Sequence, residues 1–220
     1  MILRGTTETV ERPVRHVADL SLRPRIGVPR GVRTPFIGSA ALAFASFALG
    51  GFYAALTPGL LAHRMGQTSV ALMGGVVGLY FGTAAVTAST ARRLSPMPTL
   101  VGAVVLLLLG VGLLVLSDAR RALGLLLAGT IVCGAAMALG YRGSLKIVDE
   151  IAPDDRRAEL LAAYLLVCYA GISLPVVGVG LATKTLGPET AHRLFAVVVA
   201  LLAIVAGVIG VVRRTDKGEA

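Results

Sequence analysis

Six stretches of this chain contain no Asp, Glu, Lys or Arg: residues 34–63, 65–91, 94–117, 122–141, 160–183 and 194–212. A hydrocarbon core about 30 Å thick is crossed by a helix of roughly 20 apolar residues, so each stretch is long enough to span a bilayer. A backbone in lipid must satisfy its own hydrogen bonds, which leaves helices as the form available to such runs. Together the six occupy most of the 220 residues. The connections between them are too short for a soluble domain, so the sequence predicts an all-α membrane protein with one six-helix domain. The expected crossings are about 36–57, 67–90, 98–117, 122–143, 160–183 and 192–212, with an arm at 1–35 and a tail at 213–220. Charged residues make up 15% of the chain, against about a quarter in soluble domains, which agrees.

A net charge of +9 would suggest nucleic acid in a soluble protein; here its placement carries the information. With an inside N-terminus, sixteen of the twenty-one Lys and Arg fall on the cytoplasmic side: the seven of the arm from Arg4 to Arg33, with Arg92, Arg93, Arg142, Lys146, Arg156, Arg157, Arg213, Arg214 and Lys217. Arg64, Arg120, Arg121, Lys184 and Arg193 fall outside. The bias places both termini in the cytoplasm of a plasma-membrane protein. The first 35 residues are polar and Arg-rich, contain Pro13, Pro24 and Pro29, and lack the apolar core of a signal peptide. They read as a partly ordered cytosolic arm.

The spans differ in polarity. The third and sixth hold almost only Leu, Val, Ala, Ile and Gly, which lipid solvates well. The first, second, fourth and fifth carry hydroxyls, and polar groups in hydrocarbon face protein or a water-filled cavity. The expected arrangement therefore has crossings one, two, four and five enclosing something, with three and six as outer buttresses. On the first helix Ser39, Ser46 and Tyr53 recur every seven residues and Thr57 follows, along one face. Two readings fit: cavity lining, or hydroxyls satisfying backbone carbonyls with an interfacial tyrosine. Tyr80, Thr130, Tyr164, Tyr169 and Ser173 complete the candidate lining. Gly74, Gly78 and Gly82 stack on one face of the second crossing and predict a close helix approach. Pro175 lies inside the fifth crossing near Gly171 and Gly178, and predicts a bend there.

The stretch "YRGSLKIVDEIAPDDRRAE", residues 141–159, holds nine of the thirty-three charged residues. Arg142 is placed to snorkel, and Lys146 is spaced to pair with Asp149 and Glu150 on a helical turn. Asp154 and Asp155 follow Pro153 at a helix start, where carboxylates complement the unsatisfied amides. Arg156 and Arg157 are expected to meet headgroups or neighbouring acids. A catalytic reading would need a nucleophile or metal partner nearby, and there is none; His16, His63 and His192 are scattered in loops. Cys133 and Cys168, both within apolar runs, have neither disulfide nor metal-ligand spacing. No enzyme, no cofactor and no metal are expected.

The run "GYRGSLKIVDEIAPDDRRAELLAAYLLVCYAGISLPVVGVGLATKTLG" resembles the segment joining the fourth and fifth helices of the C-terminal half of major facilitator superfamily transporters. "ETVERP" and "RPRIGVPRGVRTPF" resemble the end of that family's sixth helix and its central loop, and "GTAAVTASTARRLSP" a degenerate form of its loop signature. The resemblance implies one half of a twelve-helix bundle, with solute bound near the midplane between halves. It implies a partner: a missing N-terminal half or a second six-helix protein, besides the bilayer and a small solute. It also implies that crossings three and six are peripheral, as their composition suggests. The Gly171–Pro175 segment is similar to the glycine-proline motif of drug/proton antiporters, which favours efflux. No Asp or Glu lies deep in a span, so any proton-coupling carboxylate is expected in the other half. The competing expectation is a non-transporting six-helix accessory protein or inactive fragment.

Overall fold

The computed structural model describes residues 27–91 and 94–218, with the side chains of 64, 96, 97 and 210–218 left aside. Most of the arm, with its expected surface turns, lies outside the described residues, as do Arg92 and Arg93 and the last two residues of the tail. Among the described residues every regular element is helical, and six helices are long and apolar enough to cross a membrane.

The first crossing is a composite. Helix α1 (Arg33–Gly51) passes into a wider turn of π type (Phe52–Leu56) and then helix α2 (Thr57–Met65). The expected end at Thr57-Pro58 is therefore corrected, because the chain stays helical through Pro58. Proline clashes with the carbonyl four residues back and brings no N–H. Here the widened turn precedes it, and Pro58 sits in the first turn of α2, where no N–H is required. Thr57 Oγ1 donates to the Phe52 carbonyl, five residues back, at 3.4 Å. The helix stops at Gly66, whose φ of 65° is left-handed; the Gln67 N–H then reaches Leu61 O at 2.9 Å.

The remaining crossings are α3 (Val70–Thr90), α4 (Pro96–Arg120), α5 (Leu123–Ile151), α6 (Arg157–Leu186) and α7 (Pro188–Gly218). Ser69 caps α3, its hydroxyl accepting from the Leu72 N–H at 3.4 Å. Helix α5 runs to Ile151, past the expected end at 143. Nothing in 144–151 breaks a helix, and the stop comes at Ala152, which Pro153 holds extended at ψ 121°. Helix α7 likewise continues beyond 212, so the charge-rich run 213–218 is helical.

Helices α3, α5, α1 and α6 form a front row in that order, since α5 packs on α3 and α1, and α1 on α5 and α6. Helices α4 and α7 pack on each other behind it, α4 against α5 and α7 against α1 and α6. The hydroxyl-bearing crossings thus share one layer and the aliphatic ones the other. Helix α1 is the most enclosed crossing, and α3, at the open end of the row, is the least. The close approach of α1 and α6 depends on two glycines. A Cβ on Gly51 would run into the Ile172 carbonyl oxygen, and one on Gly171 would lie 2.8 Å from the Phe44 carbonyl oxygen.

The expected close approach at Gly74, Gly78 and Gly82 is not made among the described residues. All three are exposed, and a Cβ at any of them would meet nothing within 4 Å. The face is free of Cβ atoms as predicted, but α3 turns it away from its neighbours and packs through Val76, Tyr80 and Ala84 instead.

Candidate functional site

Two hydroxyl clusters sit inside the front row. In the first, Tyr53 at the widened turn stacks on Tyr80 of α3, with ring centroids 4.4 Å apart and planes at 21°. Both are fully buried. Tyr80 Oη donates to the Ser46 carbonyl at 3.5 Å, while Ser46 Oγ donates to Leu42 O at 2.8 Å. Thr130 on α5 donates to Leu126 O at 2.7 Å. Tyr53 Oη lies beside Thr130 and Cys133 and has no well-formed hydrogen bond among the described residues. The second cluster joins α5 to α6. Tyr164 Oη meets Ser144 Oγ at 2.7 Å, and Ser144 donates to Gly140 O at 2.5 Å, a short chain of hydrogen bonds. Tyr141 stacks on Tyr164 and takes an edge-on contact from Phe47 of α1 at 5.4 Å.

These contacts correct the cavity assignment for most of the candidates. Ser39, Ser46, Tyr53, Thr57, Tyr80, Thr130 and Tyr164 are all buried between helices. Ser46 and Thr130 each donate to a carbonyl four residues back and Thr57 to one five residues back, so the donors of these three hydroxyls are engaged within the first and fourth crossings themselves. Of the nine candidates, only Tyr169, 67% exposed, and Ser173 face outward. They stand four residues apart on one face of α6. At the opposite end of the row, Gly78, Gly82, Thr83, Thr87 and Ile131 line an open groove of about 510 Å³ between α3 and α5. Thr83 and Thr87 were not singled out from sequence, although their spacing of four with Gly78 and Gly82 was visible. Tyr141 and Ser144 were also missed; the absence of a helix breaker before Pro153 was the available signal.

Of the bend residues, Gly171 is buried against α1, while Pro175 and Gly178 border an apolar cleft of about 340 Å³ lined also by Phe44, Leu194 and Phe195. Helix α6 carries Pro175 in its interior without interruption.

At the end of the bundle where α5 joins α6, Arg157 binds Asp149 at 2.5 Å, and Arg156 lies 3.6 Å from Asp155. Arg156 and Arg157 were expected to meet headgroups or acids of neighbouring loops; each has an acid of its own segment. Lys146, expected to pair with Asp149 and Glu150, makes neither ion pair among the described residues, and Asp149 is engaged by Arg157 instead. Asp154 and Asp155 begin a single 3-10 turn (Asp154–Arg156) leading into α6. The expected loop placement of the histidines is corrected for two of them, since His63 lies in α2 and His192 in α7, while His16 lies outside the described residues. His192 belongs to the first turns of α7, with its ring 5.7 Å from Phe52. With Arg193 and the buried Asp118 of α4 it lines a cavity of about 30 Å³. Among the described residues no group of His, Cys, Asp and Glu is arranged to hold a metal ion.

The Tyr164–Ser144 pair yields a direct expectation. Tyr164→Phe and Ser144→Ala should each lower stability by about 1 kcal/mol, the usual worth of a hydrogen bond between membrane helices. The double variant should cost less than the two losses added, as a double-mutant cycle of thermal unfolding in detergent would measure.

A family model described as "Sugar (and other) transporter" matches residues 68–214, from just before α3 to near the end of α7, about two thirds of the chain. The chain belongs to this sugar transporter family. That places it in the major facilitator superfamily, as the loop between α5 and α6 led one to expect. No curated protein and no solved structure gives a match. As a member of a sugar transporter family with six apolar helices, the protein is a multi-pass membrane protein from a family of transporters, not of enzymes. The matched span includes both outward-facing polar patches, Tyr169 with Ser173 and Thr83 with Thr87.

Proposed function

We propose that this chain forms the C-terminal half of a secondary transporter and moves a small uncharged, hydrogen-bonding solute by alternating access. The observation that carries this is the character of the outward faces of the row. At membrane depth they offer the exposed hydroxyls of Tyr169 and Ser173 at one end and, at the other, the half-buried Thr83 and Thr87 beside the open groove, where Thr83 donates to the Leu79 carbonyl at 2.8 Å and keeps its lone pairs as an acceptor, and no charge. Hydroxyls on an apolar wall hydrogen-bond a polyol without the cost of desolvating an ion. The family description, sugars and other solutes, supports the same class.

In this reading the front row faces a second six-helix unit, supplied by another stretch of polypeptide or by a second chain. The bare glycine face of α3 supports it, because a small-residue surface lets a partner helix approach closely. The solute lies between the halves, and rocking of one against the other exposes it to each side in turn. The excess of Lys and Arg supports cytoplasmic termini in a plasma membrane, and the Gly171–Pro175 resemblance favours export.

The test is uptake of radiolabelled hexose and polyol into vesicles holding this chain fused or co-reconstituted with a six-helix N-terminal half. Tyr169→Ala and Ser173→Ala should each reduce flux on the order of 10-fold, a loss equivalent to roughly 1.4 kcal/mol, while leaving the protein folded. Flux no greater than in empty vesicles for every uncharged solute would remove the proposal. Tyr53→Ala is a poor probe of transport, because emptying a buried aromatic site costs about 3–5 kcal/mol and removes the fold first.

A further inference from the structure

Where α5 meets the α3–α4 turn and the start of α6 there is a cavity of about 450 Å³ with two chemically distinct parts. Its wall is apolar and includes Leu94, Leu145 and Leu161; its rim carries Arg142 and Lys146, with Asp149 beside them. Arg142 and Lys146 are one helical turn apart on α5, so both cations point into the same space. Asp149 does not neutralise them, since its carboxylate is bound by Arg157 at 2.5 Å. Neither Arg142 nor Lys146 has an ion-pair partner among the described residues. With Arg142, Lys146 and Arg157 against the single carboxylate of Asp149, the rim is positive, and it stands at the end of the bundle that the distribution of Lys and Arg assigns to the cytoplasm.

We propose that this cavity binds the headgroup of an anionic phospholipid, with the phosphate between Arg142 and Lys146 and an acyl chain along Leu94, Leu145 and Leu161. A phosphate group accepts hydrogen bonds from guanidinium and ammonium together, and basic pockets between helices at the inner membrane surface favour anionic lipids. Free phosphate would satisfy the cations but leave the apolar wall wet. A zwitterionic lipid would fill the wall but bring its own cation to the rim. An anionic lipid matches both parts. The assignment reverses the one drawn from sequence, in which Arg157 faces the headgroups and Lys146 an acid. It does not depend on the transport reading, because it concerns only the bilayer around the chain.

Native mass spectrometry of the purified full chain in detergent, titrated with phosphatidylglycerol, phosphatidylcholine or inorganic phosphate, tests this. Retention of phosphatidylglycerol should exceed that of phosphatidylcholine by about 5-fold for each cation, roughly 25-fold for the pair at low salt. Arg142→Ala with Lys146→Ala should bring the ratio near one, while Arg193→Ala at the opposite end of the bundle leaves it unchanged. An unchanged ratio in the double variant would overturn the proposal, as would inorganic phosphate displacing the lipid at equal concentration, which would make the site one for free phosphate. If the double variant does not fold, acetylation of Lys146 in the wild-type chain decides. Phosphatidylglycerol should slow it severalfold relative to phosphatidylcholine, and equal rates would refute the site.

Discussion

Gly51→Leu is expected to abolish recovery of folded protein. Helices α1 and α6 approach here so closely that a Cβ at residue 51 would overlap the Ile172 carbonyl oxygen and lie 2.9 Å from Val176 Cγ2. The carbonyl belongs to the backbone of a membrane helix and cannot rotate away without breaking a hydrogen bond that lipid will not replace. Relief must come from separating the helices, which also strips Gly171 from the Phe44 backbone on the same interface. Overpacking by a single methylene costs about 1–3 kcal/mol where neighbours can shift. A leucine against backbone should exceed that, and the whole stability of a domain is only about 5–15 kcal/mol. The measurement is yield and thermal midpoint of monodisperse protein in detergent, with Gly178→Leu as the control. Gly178 lies on α6, the helix that Gly51 packs against, and a Cβ there would meet nothing within 4 Å, so this variant should behave as wild type. A Gly51→Leu protein as stable as Gly178→Leu would show that the α1–α6 approach is looser than described.

Gly78→Leu combined with Gly82→Leu should do the opposite: leave the six-helix unit folded and remove transport. Both glycines are exposed and line the open groove beside Thr83 and Thr87, and among the described residues no atom lies within 4 Å of where a Cβ would stand. The thermal midpoint of the unit alone should therefore stay within about 0.5 kcal/mol of wild type, as for surface positions generally. If a second half docks on this face, two leucines hold the backbones apart by several ångströms, and flux in the paired vesicles should fall to that of the empty control. Retained flux would show that the partner docks elsewhere on the row. Loss of folding in the unit alone would show that the groove is closed by this chain itself. The pair of experiments separates glycines used within the half, Gly51 and Gly171, from those left for a neighbour.

Much of the molecule was legible because membrane insertion is read one segment at a time. Each uncharged run carries its own hydrophobic free energy, so the number of crossings follows without knowledge of their neighbours. The layer to which a helix belongs was legible for a related reason: α4 and α7 bring almost no hydroxyls, and lipid accepts them on one side. The loop between α5 and α6 identified the family through a run of charged and proline residues that survives without reference to packing.

The polar lining was not legible at the same level. The seven-residue spacing of Ser39, Ser46 and Tyr53 places them on one face of α1, yet does not say whether that face meets water or another helix. In the structure it meets α5 and α3, because Gly140 admits Ser46 and the stacked rings of Tyr53 and Tyr80 fill the space between the helices. The partner of Asp149 was likewise ambiguous. Lys146 is nearer in sequence, but Arg157 lies across the turn at Pro153 and reaches it directly.

By itself, then, the sequence determined that the chain has six helices able to cross a membrane, how their polar and aliphatic members are divided, and which superfamily the loop between α5 and α6 resembles. These are properties of single segments in a uniform solvent. Only the tertiary structure decided which hydroxyls are spent on carbonyls, which glycines admit a backbone, and which cations are left facing a cavity. Those are properties of pairs of surfaces, and a helical face in lipid gains nothing by being apolar that would mark it beforehand as buried.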